Sequence, residues 1–125
     1  MKISDGKADK ITVGLTSKNR PTMNKIMEAD IFPDQISAAK FALALAVKSD
    51  VDFGSVEGAD TKWNMGSFDK DGELKTLIAT IYPEVENPNR MIEYLINRGF
   101  EIIRQNIEKF GIDYIYNLII EEGYY

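Results

Sequence analysis

Polar and apolar residues alternate over residues 10–16, and this period of two predicts a short strand near the start of the chain. One face of that strand carries the apolar side chains Ile11, Val13 and Leu15. The opposite face carries Lys10, Thr12, Gly14 and Thr16. Residues 1–9 precede the strand with charged and small polar side chains, a composition that predicts a mobile arm.

Two helical patterns follow the predicted strand. The first begins at about Pro21, which suits a first helical turn, and its apolar residues recur at helical spacing. Pro33 disfavours helical geometry in the residue before it, and Asp34 is then an N-cap for a second helix over 35–48. Apolar residues cover more than one face of this second helix, which predicts that it packs against several helices or against a partner chain.

A segment rich in glycine and acids, residues 49–69, predicts a long loop around Trp63. Anchoring of Trp63 in the core explains this residue better than base stacking, because the surrounding acids repel a nucleic-acid backbone. The run that begins at Asp69 resembles a calcium loop, but its glycine falls at position 4 and Thr80 stands where a bidentate Glu is needed. Helix capping by Asp69 or Asp71 is therefore the better interpretation.

Helical patterns fill the C-terminal half, residues 70–122. They cover about 70–81, about 88–109 and 112–120. Pro83 ends the first of them and Pro88 starts the second. With 125 residues and 44% hydrophobic content, the chain is long enough to bury one core. We therefore expect a mainly α single domain over residues 1–125.

Charge divides the chain unevenly. The first 25 residues hold six basic side chains against two acids, a net charge of +4, whereas the other 100 hold nine against eighteen, a net charge of −9. The two parts sum to −5. A basic segment on an acidic body indicates an anionic partner at one end, with the solvated flexible arm as the alternative explanation.

The residues that are missing limit the chemistry. Without Cys or His, the chain cannot build a thiolate zinc site, a Cys-His pair, a Ser-His-Asp triad or a histidine base. Paired carboxylates remain for a small acid–base enzyme, at Glu84 and Glu86 or at Glu121 and Glu122, but nothing in the pattern places a substrate pocket beside them. We expect no catalytic residue, no metal and no cofactor.

No apolar run approaches the roughly 18 residues that span a bilayer, and the start of the chain lacks the apolar core of a secretory signal. We therefore expect a cytoplasmic protein without a membrane span. The absence of cysteine fits that compartment.

The strand–helix–turn–helix order over residues 10–48 resembles a ribbon-helix-helix unit, in which two chains pair their strands into a ribbon that enters the major groove of DNA. The resemblance implies that Thr12 and Thr16 line the ribbon. It also implies phosphate contacts, which position a protein without reading sequence. Those contacts would come from Lys10, Lys18, Arg20 and Lys25.

A longer resemblance covers about residues 20–105. Its motifs, in chain order, are Phe41-Ala42-Leu43-Ala44-Leu45-Ala46, Trp63-Asn64 before Gly66, Asp71-Gly72-Glu73-Leu74, Tyr82-Pro83, Tyr94-Leu95 and Gly99. This order is similar to that of the DndE family of DNA sulfur-modification (phosphorothioation) proteins. The chain departs from the family at Lys40, where members tend to carry Arg, and in the acids around its central loop.

The DndE resemblance implies a non-catalytic subunit that binds double-stranded DNA, forms a homo-oligomer and works beside a sulfur-transfer enzyme and an ATPase in a bacterial defence-type system. Lys40 joins the candidate DNA contacts on this basis. The alternative is an acidic adaptor that scaffolds partner enzymes without touching DNA.

Overall fold

The computed structural model describes residues 9–56 and 58–122, so residues 1–8 of the predicted arm lie outside it. Within the described ranges the chain is mainly α and starts with a strand and two helices, as predicted. The elements are β1 (Thr12–Leu15), α1 (Arg20–Glu28), α2 (Gln35–Lys48), β2 (Asp60–Asn64), α3 (Met65–Phe68), α4 (Glu73–Ile81), α5 (Pro88–Phe110) and α6 (Ile112–Glu122). None of these helices is both long enough and apolar enough to pass through a membrane.

Proline and capping residues set the helix starts where the sequence predicts them. Pro21 and Pro88 occupy the first turns of α1 and α5. The Asp34 carboxylate caps α2 by accepting a hydrogen bond from the backbone N–H of Ser37 at 2.7 Å. This backbone hydrogen bond lowers the pKa of Asp34, since it favours the ionised carboxylate.

The long helix α5 runs through the middle of the fold and packs against α2 at very short range. Gly99 makes this approach feasible: a Cβ built there would overlap the carbonyl oxygen of Ala42. Side chains from every other helix and from β1 surround α5 in one contiguous core. Its largest fully buried members include Phe68, Phe100, Leu15, Met23 and Ile78.

The predicted loop 49–69 needs a correction, because it contains the strand β2 and the short helix α3. β2 pairs with β1 in antiparallel register, with Val13 opposite Trp63 and Gly14 opposite Thr61. Four of the five β2 residues are exposed, so this strand has no alternation of apolar and polar positions that would reveal it. Pairing with β1 defines the strand instead, and the Val13–Trp63 pair of this register joins residues 50 positions apart in the chain.

Gly14 is the reason why the two strands can meet. A Cβ at this position would overlap the backbone oxygen of Asp60. The register also shifts between Val13 and Gly14, at the level of Lys62. The glycine that weakens the strand pattern in the sequence therefore permits the close contact of the folded sheet.

We expect the substitution Gly99→Ala to destabilise the fold by about 2 kcal/mol or more, because the added methyl group overpacks the crossing of α2 and α5. Helix propensity alone would change the free energy of unfolding in the opposite direction, by about 1 kcal/mol. Urea unfolding of the two proteins measures the difference. Gln105→Ala, at an exposed position of the same helix, is the control, and equal stability of Gly99→Ala and the parent chain would contradict the close approach.

Candidate interaction surfaces

A row of three polar side chains on α5 binds the backbone of the β1 segment. Asn89, Glu93 and Asn97 recur every four residues and therefore lie on one face of the helix, where all three are buried. The Asn89 amide donates to the Lys10 carbonyl at 2.8 Å, and the Glu93 carboxylate accepts from the Gly14 N–H at 3.0 Å. We call this row the polar ladder.

Asn97 is the most fully bonded member of the polar ladder. Its Nδ2 donates to the carbonyl oxygens of Gly14 and Glu93, at 3.1 and 2.9 Å. Its Oδ1 accepts from the Thr16 N–H at 3.0 Å and from Asn19 Nδ2 at 2.9 Å. All four hydrogen-bonding positions of the amide are therefore used, and one side chain joins β1, α1 and α5.

Asp9 binds the start of α5 from the far end of the sequence. Its carboxylate accepts hydrogen bonds from the backbone N–H groups of Asn89 and Arg90, at 3.2 and 3.1 Å. These groups belong to the first turn of α5, whose N–H groups have no partner within the helix. The last residue of the predicted arm is thus fixed to the body as a helix cap.

Lys10, the first of the candidate DNA contacts, faces Glu93. Its Nζ lies 2.8 and 2.7 Å from the two carboxylate oxygens. The Glu93 side chain is 2% exposed and the Lys10 side chain 23%. A carboxylate so deeply buried needs its cation, so Lys10 is committed to the fold.

β1 therefore has partners on both of its edges within one chain. One edge pairs with β2, and the other edge is bound by the polar ladder. Within this chain the ribbon consists of β1 and β2, and the ribbon between two chains stays a prediction. Thr12 and Thr16 lie half-buried in it, with the Thr12 hydroxyl 3.5 Å from that of Thr61.

The remaining candidate cations have different surroundings. Arg20 forms an ion pair with Asp60 at the surface. Lys40 lies over the ring of Phe68, with its Nζ 5.6 Å from the centroid. Lys18 and Lys25 are exposed, and their side chains make no hydrogen bond or ion pair within residues 9–56 and 58–122. The candidate DNA-contact cations, grouped in the sequence, therefore do not share one environment in the structure.

Lys25 has a cationic neighbour that the sequence pattern does not reveal. It lines a hollow of about 180 Å³ together with Arg104 of α5. Glu108 lies on the same rim and leaves the hollow with one net positive charge. Arg104 lies 79 positions further along the chain, so only the packing of α1 on α5 brings the two cations together.

A groove between α2 and α4, which we call the α2/α4 groove, is an apolar concavity of about 560 Å³. Leu77 and Ile81 of α4 line it and are 51% and 41% exposed. Ala44 and Val47 of α2 form part of the opposite wall. Exposed leucine and isoleucine side chains beside an open groove indicate an interaction surface.

The two ends of the α2/α4 groove are fixed by specific contacts. At one end Lys40 lies over Phe68, which ends α3 five residues before α4 begins. At the other end the Tyr82 hydroxyl donates to the Val51 carbonyl at 2.9 Å. α2 and α4 therefore run in the same direction.

Burial raises the pKa of the Tyr82 hydroxyl, and the nearby Asp50 and Asp52 carboxylates raise it further.

A second apolar groove, the α2/α6 groove, lies on the other side of α2. It measures about 460 Å³ and shares Lys40 and Ala44 with the first. Phe32 and Phe41, whose ring centroids are 5.3 Å apart, contribute aromatic surface, and Ile119 contributes from α6. The outward side of α2 therefore has an apolar groove along each flank, as expected for a helix with apolar residues on several faces.

The central acids and Trp63 have structural roles, as the sequence indicates. Asp69 accepts hydrogen bonds from the N–H groups of Leu74 and Lys75, at 3.0 and 2.9 Å, and so caps α4. Trp63 packs on Phe68 with a centroid distance of 5.4 Å. Within the described residues no cluster of three or more acids is arranged to hold a metal ion.

Sequence reasoning missed the polar ladder and the two grooves. A signal for the ladder exists: Asn89, Glu93 and Asn97 interrupt an otherwise apolar helix face at a regular spacing of four residues. The exposed apolar positions Leu77 and Ile81 have no such signal. Their spacing is that of any core-facing helix, and only the fold shows that they face outward.

No protein-family profile, curated protein or solved structure matches this chain.

We expect Lys10→Met to lower the free energy of unfolding by about 3 kcal/mol, because the buried Glu93 carboxylate loses its cation. Adding Glu93→Gln should recover part of this loss. The coupling between the two changes should be about 1 kcal/mol or more in a double-mutant cycle measured by urea unfolding. Lys18→Met, at an exposed position, is the matched control and should change stability by less than about 0.5 kcal/mol. Additive effects of the two substitutions would rule out the pairing.

Proposed function

We propose that the chain is a non-catalytic adaptor subunit that holds partner proteins, and that it works in a DNA sulfur-modification system of the kind implied by its resemblance to the DndE family. The observation that carries this proposal is the pair of open apolar grooves along α2. Concave apolar surface of this kind, with a few charged groups at its edge, is the usual receiving side of a protein–protein contact.

The charges support protein binding over DNA binding as the main role. Lys10 is committed to Glu93 and Arg20 is paired with Asp60. Two of the four candidate cations in the N-terminal segment are therefore neutralised within the fold. The rest of the chain carries a net charge of −9, which repels a polyanion and attracts a basic partner.

Double-stranded DNA is a second candidate partner, favoured by one specific observation. Lys18 and Lys25 remain exposed, and Arg104 joins Lys25 beside the same hollow. Three cations are enough for weak contact with backbone phosphates that does not read sequence. In this version of the proposal, the subunit touches DNA with one surface while the grooves hold a partner with another.

The adaptor role predicts a complex that survives removal of nucleic acid. We expect the affinity-tagged chain to retain products of its neighbouring genes after nuclease treatment, because apolar contacts do not depend on DNA. The variant Lys18→Glu/Lys25→Glu should retain them equally. Loss of every partner on nuclease treatment would refute the adaptor role.

The DNA candidate predicts binding that depends strongly on salt. With three neutralised phosphates, the slope of log K against log salt should be about −2.7, or about fortyfold in affinity between 50 and 200 mM salt. Anisotropy of a labelled duplex measures this slope, and Lys18→Ala/Lys25→Ala/Arg104→Ala should abolish binding. Lys75→Ala, an exposed cation on α4, is the control. Absence of binding at 50 mM salt, or equal binding by the triple variant, would exclude this candidate.

A further inference from the structure

The α2/α4 groove has the shape that suits a helix. Its lining residues recur over about two turns of each wall, from Lys40 to Lys48 on α2 and from Glu73 to Ile81 on α4, so the groove is elongated along both helices. Leu77 and Ile81 lie four residues apart on the α4 wall and present one continuous apolar strip. An amphipathic helix presents the matching strip at the same spacing.

The length of the groove limits the occupant. α4 has nine residues and is therefore about 13 Å long at about 1.5 Å per residue. Between two and three turns of a partner helix fit along it. Such a segment places two apolar anchors, four residues and about 6 Å apart, against the strip of Leu77 and Ile81.

The two lips of the groove carry opposite charges. Lys40 and Lys48 line the α2 side, and Asp69 and Glu73 line the α4 side. Asp69 already caps α4 and Lys48 has an interaction within the chain, so the exposed Lys40 and Glu73 are the charges that we assign to an occupant. A helix in the groove would meet a cation along one flank and a carboxylate along the other.

We propose that the α2/α4 groove binds one amphipathic helix of a partner protein, with two apolar anchors against Leu77 and Ile81, an acid toward Lys40 and a base toward Glu73. This inference rests on the adaptor function proposed above and names the chemistry of its partner. A uniformly acidic or uniformly basic helix places a like charge against one lip and binds more weakly.

Designed peptides test the charge pattern. We would use labelled alanine-based helices of about 15 residues with two leucines four apart, and flanks that are mixed, all acidic or all basic. Anisotropy should show the mixed peptide binding about fivefold more tightly than either uniform one, as two exposed ion pairs allow. A peptide with its acidic and basic flanks exchanged is not a suitable control. When it binds in the reverse direction, it places each charge against the same lip of the groove as the original peptide does.

Variants of the chain locate the site. Leu77→Ser/Ile81→Ser should weaken binding of the mixed peptide at least about tenfold, since it removes both anchoring contacts. Both positions are exposed, so the fold should survive, and circular dichroism checks this. Tyr116→Ser/Ile120→Ser, which removes comparable exposed apolar surface from α6, is the matched control and should bind like the parent chain.

Three results would overturn the inference: no binding of the mixed peptide, equal binding of all three peptides, or full binding by Leu77→Ser/Ile81→Ser. A fourth such result, from sedimentation, is a dimer of the parent chain that Leu77→Ser/Ile81→Ser converts to monomer, because a second copy would then fill the groove.

Retention of the neighbouring gene products by this double variant would refute the α2/α4 groove as the binding site while leaving the adaptor function standing. Loss of those partners by the parent chain would refute the adaptor function itself.

Discussion

The polar ladder of α5 is the constraint on which the N-terminal half depends. A strand next to a helix normally leaves one row of backbone groups without partners, and burying that row is costly. Here Asn89, Glu93 and Asn97 supply the missing donors and acceptors at the helical repeat of four residues. The strand can therefore lie against the helix as if a third strand were present.

The ladder also decides what the N-terminal charges do. The Glu93 carboxylate is buried where it binds the Gly14 N–H, so it requires a cation beside it. The register of β1 on α5 places Lys10 at that point. Asp9, one residue earlier, reaches the open end of α5. Charged residues that predict an anionic partner in the sequence thus serve first to attach the strand to the helix.

Most of the helices could be predicted from the sequence because their signals are local. Pro21, Asp34 and Pro88 mark three helix starts, and the predicted ranges 35–48 and 88–109 agree with α2 and α5 to within one residue. β2 could not be predicted in this way. Its residues are mostly exposed, and a strand without a buried face has no periodicity to read.

The candidate sites depend on contacts that a sequence pattern does not contain. Lys10 and Glu93 are 83 positions apart, and Lys25 and Arg104 are 79 apart. Capping by Asp69 could be predicted because the cap and the helix are neighbours in the chain. The grooves along α2 required the positions of α4 and α6, which only tertiary packing determines.

The occupied outer edge of β1 has a further consequence for the behaviour of the protein at high concentration. A sheet grows between molecules when a strand of another molecule pairs with its free edge. The polar ladder occupies the outer edge of β1, so the outer edge of β2 is the edge of this sheet that stays open. That edge carries the exposed Lys62 at an irregularity of the register, a combination that disfavours stacking of like strands. The outer edge of β2 is thereby a poor template for the addition of a further strand.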